Sequence, residues 1–228
     1  MSDVGSDASV EATVTLRAQG LAVTYGPVVA LRDISVDVAP GSLVAVTGPS
    51  GAGKTSLLWA LAGAVAPTAG TVHLGRTLVR DRVHAAALGI AIVPQGNGLA
   101  TTLTARENIL VPLLAAGVPA AESAARTEEV LAVVGLEESG GHLSEELSGG
   151  QQQRVAVARA LAARGRVLLA DEPTSDLDAL NRQRVIAALR SGADGGAVVV
   201  MSTNDPEAAD QTDAELSLDE GRMRWVRR

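Results

Sequence analysis

Cysteine is absent from the 228 residues, which excludes a disulfide framework and any thiolate metal site. Only three histidines, His73, His84 and His142, remain for an imidazole site. Such a chain is compatible with a reducing cytoplasm. No uninterrupted apolar run approaches the length of about 18 residues needed to span a bilayer. The opening Met-Ser-Asp-Val-Gly-Ser-Asp is acidic and polar, the opposite of a secretory signal. The chain is therefore expected to stay in the compartment where it is made. Positive charge is also in deficit: 19 basic against 26 acidic residues leave a net charge of −7. That balance argues against nucleic-acid binding, which needs a strong positive field along one face. One basic cluster stands at the tail, where Arg222, Arg224, Arg227 and Arg228 surround Trp225. It reads as a solvated terminus or as a weak attraction for anionic lipid.

Lysine is scarcer still. Lys54 is the only one, and every other basic side chain is arginine. It lies in Gly48-Pro49-Ser50-Gly51-Ala52-Gly53-Lys54-Thr55, the G-x-x-x-x-G-K-[ST] pattern of a phosphate-binding loop. A compact ammonium kept at the one position where a point charge must reach between phosphates points to chemical need. The apolar run Leu43 to Thr47 before the loop reads as a buried strand, and Ser56 to Ala62 after it as a helix. Strand, glycine loop and helix form the context the pattern requires; a chance glycine-rich turn would lack it. The glycines let backbone N–H groups curl around phosphates, the helix N-terminus adds partial positive charge, and the Thr55 hydroxyl suits Mg2+.

The chain is long enough for one large domain or for a domain with an inserted subdomain. Residues 1–12 offer little to bury and read as a flexible leader, with the remaining 13–228 as the folded unit. Thr13 to Thr24 and Ile34 to Val38 alternate apolar and polar residues, as antiparallel strands with one exposed face do, with a turn at Tyr25-Gly26-Pro27. Gly89 to Val93 reads as a strand, followed by a flexible Pro94-Gln95-Gly96-Asn97-Gly98. From Thr104 to Gly140 the spacing becomes helical, with breaks expected at Pro112, Gly117 and Pro119. This texture suggests a helical subdomain inserted over about residues 96–163. Strands return at Val167 to Ala170 and Ala197 to Met201, both apolar throughout, as parallel strands covered on both faces should be. The expected fold is α/β: a P-loop NTPase core with a mostly parallel sheet, an N-terminal antiparallel β subdomain and the helical insertion.

Asp171 and Glu172 close the first of those apolar strands. Carboxylates at the carboxyl edge of a parallel strand stand where open α/β sheets bind ligands. Beside a phosphate loop, Asp171 suits Mg2+, and Glu172 suits orienting a water for in-line attack on a γ-phosphate; alone, the pair would read as solvated loop acids. A second anion site is written in Leu147-Ser148-Gly149-Gly150-Gln151, directly before a helix from Gln152 to Ala163. Ser148 and the amides of Gly149 and Gly150 at a helix start make a phosphate cradle, or simply a loop and a cap.

These motifs, with Gln95 and Ser175-Asp176-Leu177-Asp178, occur in the order and spacing of ATP-binding-cassette ATPases, and the chain resembles that family over nearly its whole length. Residues 107–117 and 147–161 resemble in particular its lipoprotein-release, macrolide-efflux and cell-division branch. The resemblance implies an ATPase subunit that forms a homodimer or heterodimer around two Mg-ATP. Each ATP would lie between the phosphate loop of one chain, Gly48 to Ser56, and the Ser148 to Gln151 signature of the other. It implies Thr55, Gln95 and Asp171 around Mg2+, Glu172 and Lys54 in catalysis, and Asp176 and Asp178 in a loop linking the two sites. Tyr25 would stack on adenine, or else pack on the strand pair as a turn residue. It also implies a separate membrane permease and a place on the cytoplasmic face of the membrane. Cassette relatives that act on nucleic acid carry long coiled-coil insertions or two cassettes, and this chain has neither.

One position departs from the family pattern. Where a histidine is expected after the strand ending at Met201, the chain has Asn204. An amide can donate a hydrogen bond to a phosphate oxygen but cannot carry positive charge or exchange a proton. Slow hydrolysis is therefore expected, or alternatively an ATP-gated dimerisation module with little turnover.

Overall fold

Alternating burial builds the N-terminal sheet. In the computed structural model, which describes residues 14–175 and 177–228, β1 (Leu16–Tyr25) buries Leu16, Ala18, Leu21 and Val23. The reading of residues 1–12 as a leader, and that of Asp176, lie outside the described residues. β1 pairs antiparallel with β2 (Val28–Val38), Leu16 opposite Val38 and Tyr25 opposite Val28. β2 therefore starts at Val28 and not at Ile34. Its first half escapes the alternation pattern because Val28 and Val29 are exposed on an edge strand and Asp33 sits at φ 54. β4 (Ala69–Leu74) and the two-residue β5 (Thr77–Leu78) complete the sheet in the order β2-β1-β4-β5. Neither follows from the residue pattern, because β4 opens on the exposed Ala69 and Gly70 and β5 has only two residues.

The central sheet is the scaffold of the candidate site. It comprises β3 (Leu43–Thr47), β6 (Ile90–Val93), β7 (Val167–Asp171), β8 (Val198–Ser202), β9 (Ala214–Asp219) and β10 (Arg222–Arg227), in the order β10-β9-β3-β8-β7-β6. All neighbours are parallel except β9 and β10. Every residue of β7 and β8 is buried, because both faces of the sheet are covered. Val167, Leu169, Val198 and Val200 face one core, shared with Leu57, Leu58 and Leu61 of α1 (Lys54–Leu61) and with the N-terminal sheet. Leu168, Ala170, Val199 and Met201 face a second core, shared with α3 (Ala105–Ala115), α4 (Ala120–Val133), α5 (Gly149–Ala162) and α6 (Ala179–Asp194). The short α2 (Arg82–Ala87) and α7 (Pro206–Ala209) finish the inventory.

The helical segment departs from expectation at one residue. Pro112 lies inside α3 and does not break it. The helix is held on either side of it by the Thr104–Glu107 capping box and by the buried Ile109 and Leu113, while Pro112 itself faces solvent. The chain turns between α3 and α4 at Gly117, which has φ 82, and Pro119. The tail is a strand and not a loose end, with Arg222, Arg224 and Arg228 still exposed to solvent. It is β10, with Arg227 donating to the carbonyl of Ala209 at 2.8 Å and the Arg228 guanidinium 4.9 Å from the Trp225 ring centre. Three arginines within it, Arg222 and Arg224 exposed and Arg227 half-buried, hid the strand from a hydrophobicity pattern, since an edge strand tolerates charge on its open face.

Asp213 ties α6 to the start of β3. Its Oδ2 accepts from the Leu43 N–H at 2.8 Å and from Arg190 at 2.7 Å. Partial burial works against its charge, but these bonds and the charges of Arg190 and Arg227 outweigh it and hold the carboxyl below the ordinary value. A depressed folded value makes the contribution complete above the unfolded value of about 3.9, and pH falling through the folded value removes it. Asp213→Asn is therefore expected to lower the urea midpoint at pH 7. The gap to the native chain should close as pH falls below about 4.

Candidate functional site

The carboxyl ends of β3, β7 and β8 finish level. Ser202 stands opposite Val46 on one side and Asp171 on the other, and Val93 at the end of β6 stands opposite Ala170. The loops after these strands therefore leave one edge of the sheet together. They carry the phosphate loop, Gln95, Glu172 and Asn204. This is the place where open parallel sheets present ligand sites.

The phosphate loop owes its path to glycines that cannot be replaced. Gly48 has φ 138 and its missing side chain makes room for the Leu218 carbonyl. Gly53 has φ 106, and a Cβ there would lie 2.5 Å from the Ala30 carbonyl oxygen of β2. Gly221, in the β9–β10 turn, donates to the Ala52 carbonyl at 3.2 Å. The loop is thus braced from behind by β2 and by the C-terminal hairpin. Thr55 and Gly51 are exposed, while Lys54 is only 7% exposed.

Lys54 is the hub. Its Nζ donates to the carbonyls of Gly48 at 2.8 Å and Pro49 at 3.3 Å and to Asn204 Oδ1 at 2.6 Å. An ammonium offers only donors, so the oxygen of the Asn204 amide is the atom facing it. Glu172 Oε1 stands 3.4 Å away, on a side chain 12% exposed. Glu172 itself has φ 49, a left-handed conformation uncommon for a residue with a side chain. Its N–H donates to Ser202 Oγ at 2.8 Å, and the Ser202 hydroxyl donates to Asp171 Oδ1 at 2.6 Å. One serine therefore fixes both acids. Asp171 is fully buried, yet among the described residues its Oδ2 has no hydrogen-bond partner. A buried carboxylate oxygen without a donor is costly, and a cation held there would remove the cost.

The other expected site residues lie farther out. Tyr25 is 47% exposed at the tip of the β1–β2 hairpin, whose second strand runs beside Gly53. About half of the tyrosine's surface is open to solvent, as a stacking residue requires. Gln95 is exposed after β6, and the loop beyond it has three successive left-handed residues, Gly96, Asn97 and Gly98. Arg159 of α5 clamps that loop, donating to the carbonyls of Asn97 at 2.9 Å and Gly98 at 2.7 Å. Burial pushes the Arg159 guanidinium below its usual value. Ser148 is the N-cap of α5, its Oγ accepting from Gln151 N–H at 3.3 Å while Gln151 Oε1 accepts from Ser148 N–H at 2.9 Å. The structure shows the cap, and the first-turn amides of Gly149 and Gly150 are left without intrahelical acceptors, as at any helix start. Gly150 abuts Leu177, where a Cβ would lie 3.0 Å from the leucine Cδ2.

α1 and α5 belong to different cores on opposite faces of the central sheet. The two anion cradles of one chain are therefore not brought together. Thr47, Gly48, Pro49, Ser50, Thr203 and Asn204 line an open cavity of about 460 Å³ beside the phosphate loop. Two positioning residues had no signal strong enough to find them. Ser202 is a polar residue ending an apolar strand, and Arg159 is one arginine among many; only the folded neighbours reveal what each holds.

A protein-family model described as "ABC transporter" matches residues 31–175. The chain is 44% identical over 191 residues to an ABC transporter ATP-binding protein of Mycobacterium tuberculosis, a match covering 81% of this chain and 58% of that protein. It thus spans less than two thirds of that relative. It is 41% identical over 204 residues to the lipoprotein-releasing system ATP-binding protein LolD of Maricaulis maris, covering 87% of this chain and 89% of the relative. In three dimensions it is similar to the dimeric structure of a bacterial ABC transporter cassette, with a TM-score of 0.84 and 29% identity over 93% of this chain and 99% of that one. A dimeric post-hydrolysis state of such a cassette bound to ADP and Pi gives a TM-score of 0.83, with 29% identity and the same coverage.

Gly53→Ala combines a strained φ with a close approach to the Ala30 carbonyl. It is expected to destabilise the fold by about 1–3 kcal/mol, read as a lower denaturant midpoint at unchanged m-value. Gly51→Ala, at φ 81 with open space around the added carbon, should cost less.

Proposed function

The chain belongs to the ABC transporter family, and from that premise we propose that it is the ATP-binding and hydrolysing subunit of a transporter, working as a dimer around two Mg-ATP. The observation that carries this reading is the convergence of Lys54, Asp171, Glu172 and Asn204 on one sheet edge, with Asp171 Oδ2 buried and unpartnered. No cluster of three or more His, Cys, Asp or Glu suited to a metal occurs among the described residues. A hard cation held by one carboxylate, a hydroxyl and substrate phosphates needs no such cluster. Thr55, Asp171 and Gln95 are the residues for Mg2+, which when bound would neutralise charge on the transferred phosphoryl group.

The chain's own groups then divide the work. Backbone amides of Gly48 to Ser56 and the Lys54 ammonium hold the phosphates. Glu172 orients a water for in-line attack on the γ-phosphorus and takes its proton as the bond to the leaving ADP oxygen breaks. Ser202 keeps Asp171 and the Glu172 backbone in place through two hydrogen bonds. Asn204 donates its amide to the γ-phosphate without the charge an imidazolium would bring, so turnover is slow. Tyr25 stacks on adenine. Because the phosphate loop and the Ser148 to Gln151 cradle lie on opposite faces of one sheet, the second cradle for each nucleotide comes from another chain, identical or not.

The substrate-translocating partner is a separate permease, with this subunit peripheral to the membrane on its cytoplasmic face. None of the described helices is long and apolar enough to cross a membrane. The likeness to LolD favours the lipoprotein-release branch. A second reading keeps ATP-driven dimerisation but little hydrolysis; the neutral amide on Lys54 favours it.

Steady-state Mg-ATP hydrolysis by the purified chain separates the two. Measurable native activity that rises roughly 10²-fold in Asn204→His and is lost in Glu172→Gln supports a slow motor. Binding and dimerisation without turnover supports the second reading. Native turnover equal to that of Asn204→His removes the role given to Asn204.

A further inference from the structure

The Lys54 ammonium has three protons and, among the described residues, four oxygens around it. Two of those oxygens, on Gly48 and Pro49, belong to the phosphate loop and travel with it. The other two are brought by different strands: Asn204 Oδ1 at 2.6 Å, the shortest of the four, from beyond β8, and Glu172 Oε1 at 3.4 Å from beyond β7. No other lysine exists in the chain, and among the described residues Lys54 is the only cation paired with Glu172. Protons held this way are not free for a phosphate.

We propose that Asn204 sets nucleotide affinity and the preference for triphosphate over diphosphate by competing for Lys54 through its side-chain carbonyl. This inference rests on the nucleotide reading given above. Phosphates must displace Asn204 from Lys54 before they can use the ammonium, and Glu172 loses its cation in the same exchange. The hold lowers affinity for any phosphate that needs Lys54. A triphosphate recovers the loss, because the Asn204 amide N–H2 group can donate to the γ-phosphate; a diphosphate has no such oxygen to offer. Glu172 is therefore freed as a base only when phosphate has taken Lys54. This role differs from that of a simple γ-phosphate donor, which would leave diphosphate binding untouched.

Calorimetric titration of the full chain with Mg-ADP tests it, comparing native protein with Asn204→Ala and Asn204→Leu. Asn204 is exposed, so neither change disturbs the core. Removal of one hydrogen-bonded acceptor should tighten ADP roughly 2- to 10-fold in both variants. The affinity ratio between a β,γ-imido ATP analogue and ADP should narrow. ADP affinity that is unchanged or weaker in both variants overturns the proposal. The lone lysine supplies a second readout: 15N-lysine labelling gives one Nζ resonance, expected to shift in ligand-free Asn204→Ala, and an unmoved resonance also overturns it. If native protein takes up no ADP, the nucleotide reading falls and this inference with it. If native protein binds ADP and the variants do not differ from it, this inference alone falls.

Discussion

The register of three parallel strands governs everything at the candidate site. Ser202 faces Val46 across one ladder and Asp171 across the other. A shift by one residue would reverse every side chain between the two cores and carry the three loops apart. That register is secured by burial on both faces, where alternate residues of β7 and β8 feed different hydrophobic cores. Packing therefore fixes the chemistry indirectly: it aligns strand ends, and the strand ends deliver Lys54, Asp171, Glu172 and Asn204 to one place.

Within that place a buried positive charge must be satisfied. Moving an ammonium out of water is expensive unless oxygens replace its hydration. Lys54 receives two backbone carbonyls, one amide oxygen and one carboxylate. Asp171 shows the opposite situation, with one oxygen on Ser202 and the other without a partner. The protein's own groups thus over-supply the lysine and under-supply the aspartate. A ligand that brings anionic oxygens to the first and a cation to the second corrects both, which is the electrostatic argument for a metal-bound polyphosphate.

The same sheet that assembles one cradle separates it from the other. α1 is packed between the two sheets, whereas α5 lies in the helical core on the far face. The loop after Gln95 is pinned to α5 by Arg159, and the start of α5 touches Leu177 beyond β7. α5 is therefore in contact with both loops flanking the Asp171–Glu172 edge. The coupling is made of backbone carbonyls and a glycine contact, which leave little trace in residue type.

Much of this was legible in the residues. The phosphate loop, the acids after an apolar strand and the Ser-Gly-Gly helix start are local patterns, because each is a backbone geometry that few residue types permit. The parallel strands β3, β6, β7 and β8 were legible as apolar runs, whereas β9, parallel to β3, was not. β4, β5, β9 and β10 were not legible: β5 is two residues long and β10 is an arginine-rich edge strand, while β4 and β9 lie inside their sheets but carry glycine, histidine or acidic residues that break an apolar run. Pro112 misled for a similar reason, its helix being held by packing on either side. By itself the sequence determined which groups are present and the local shapes that hold them, as short-range sterics and hydrogen bonding allow. The tertiary structure alone decided that Asn204 and Glu172 meet Lys54 and that the two cradles stay apart. Those contacts join residues distant along the chain, and only the shared register and the two-faced burial of the central sheet set their distances.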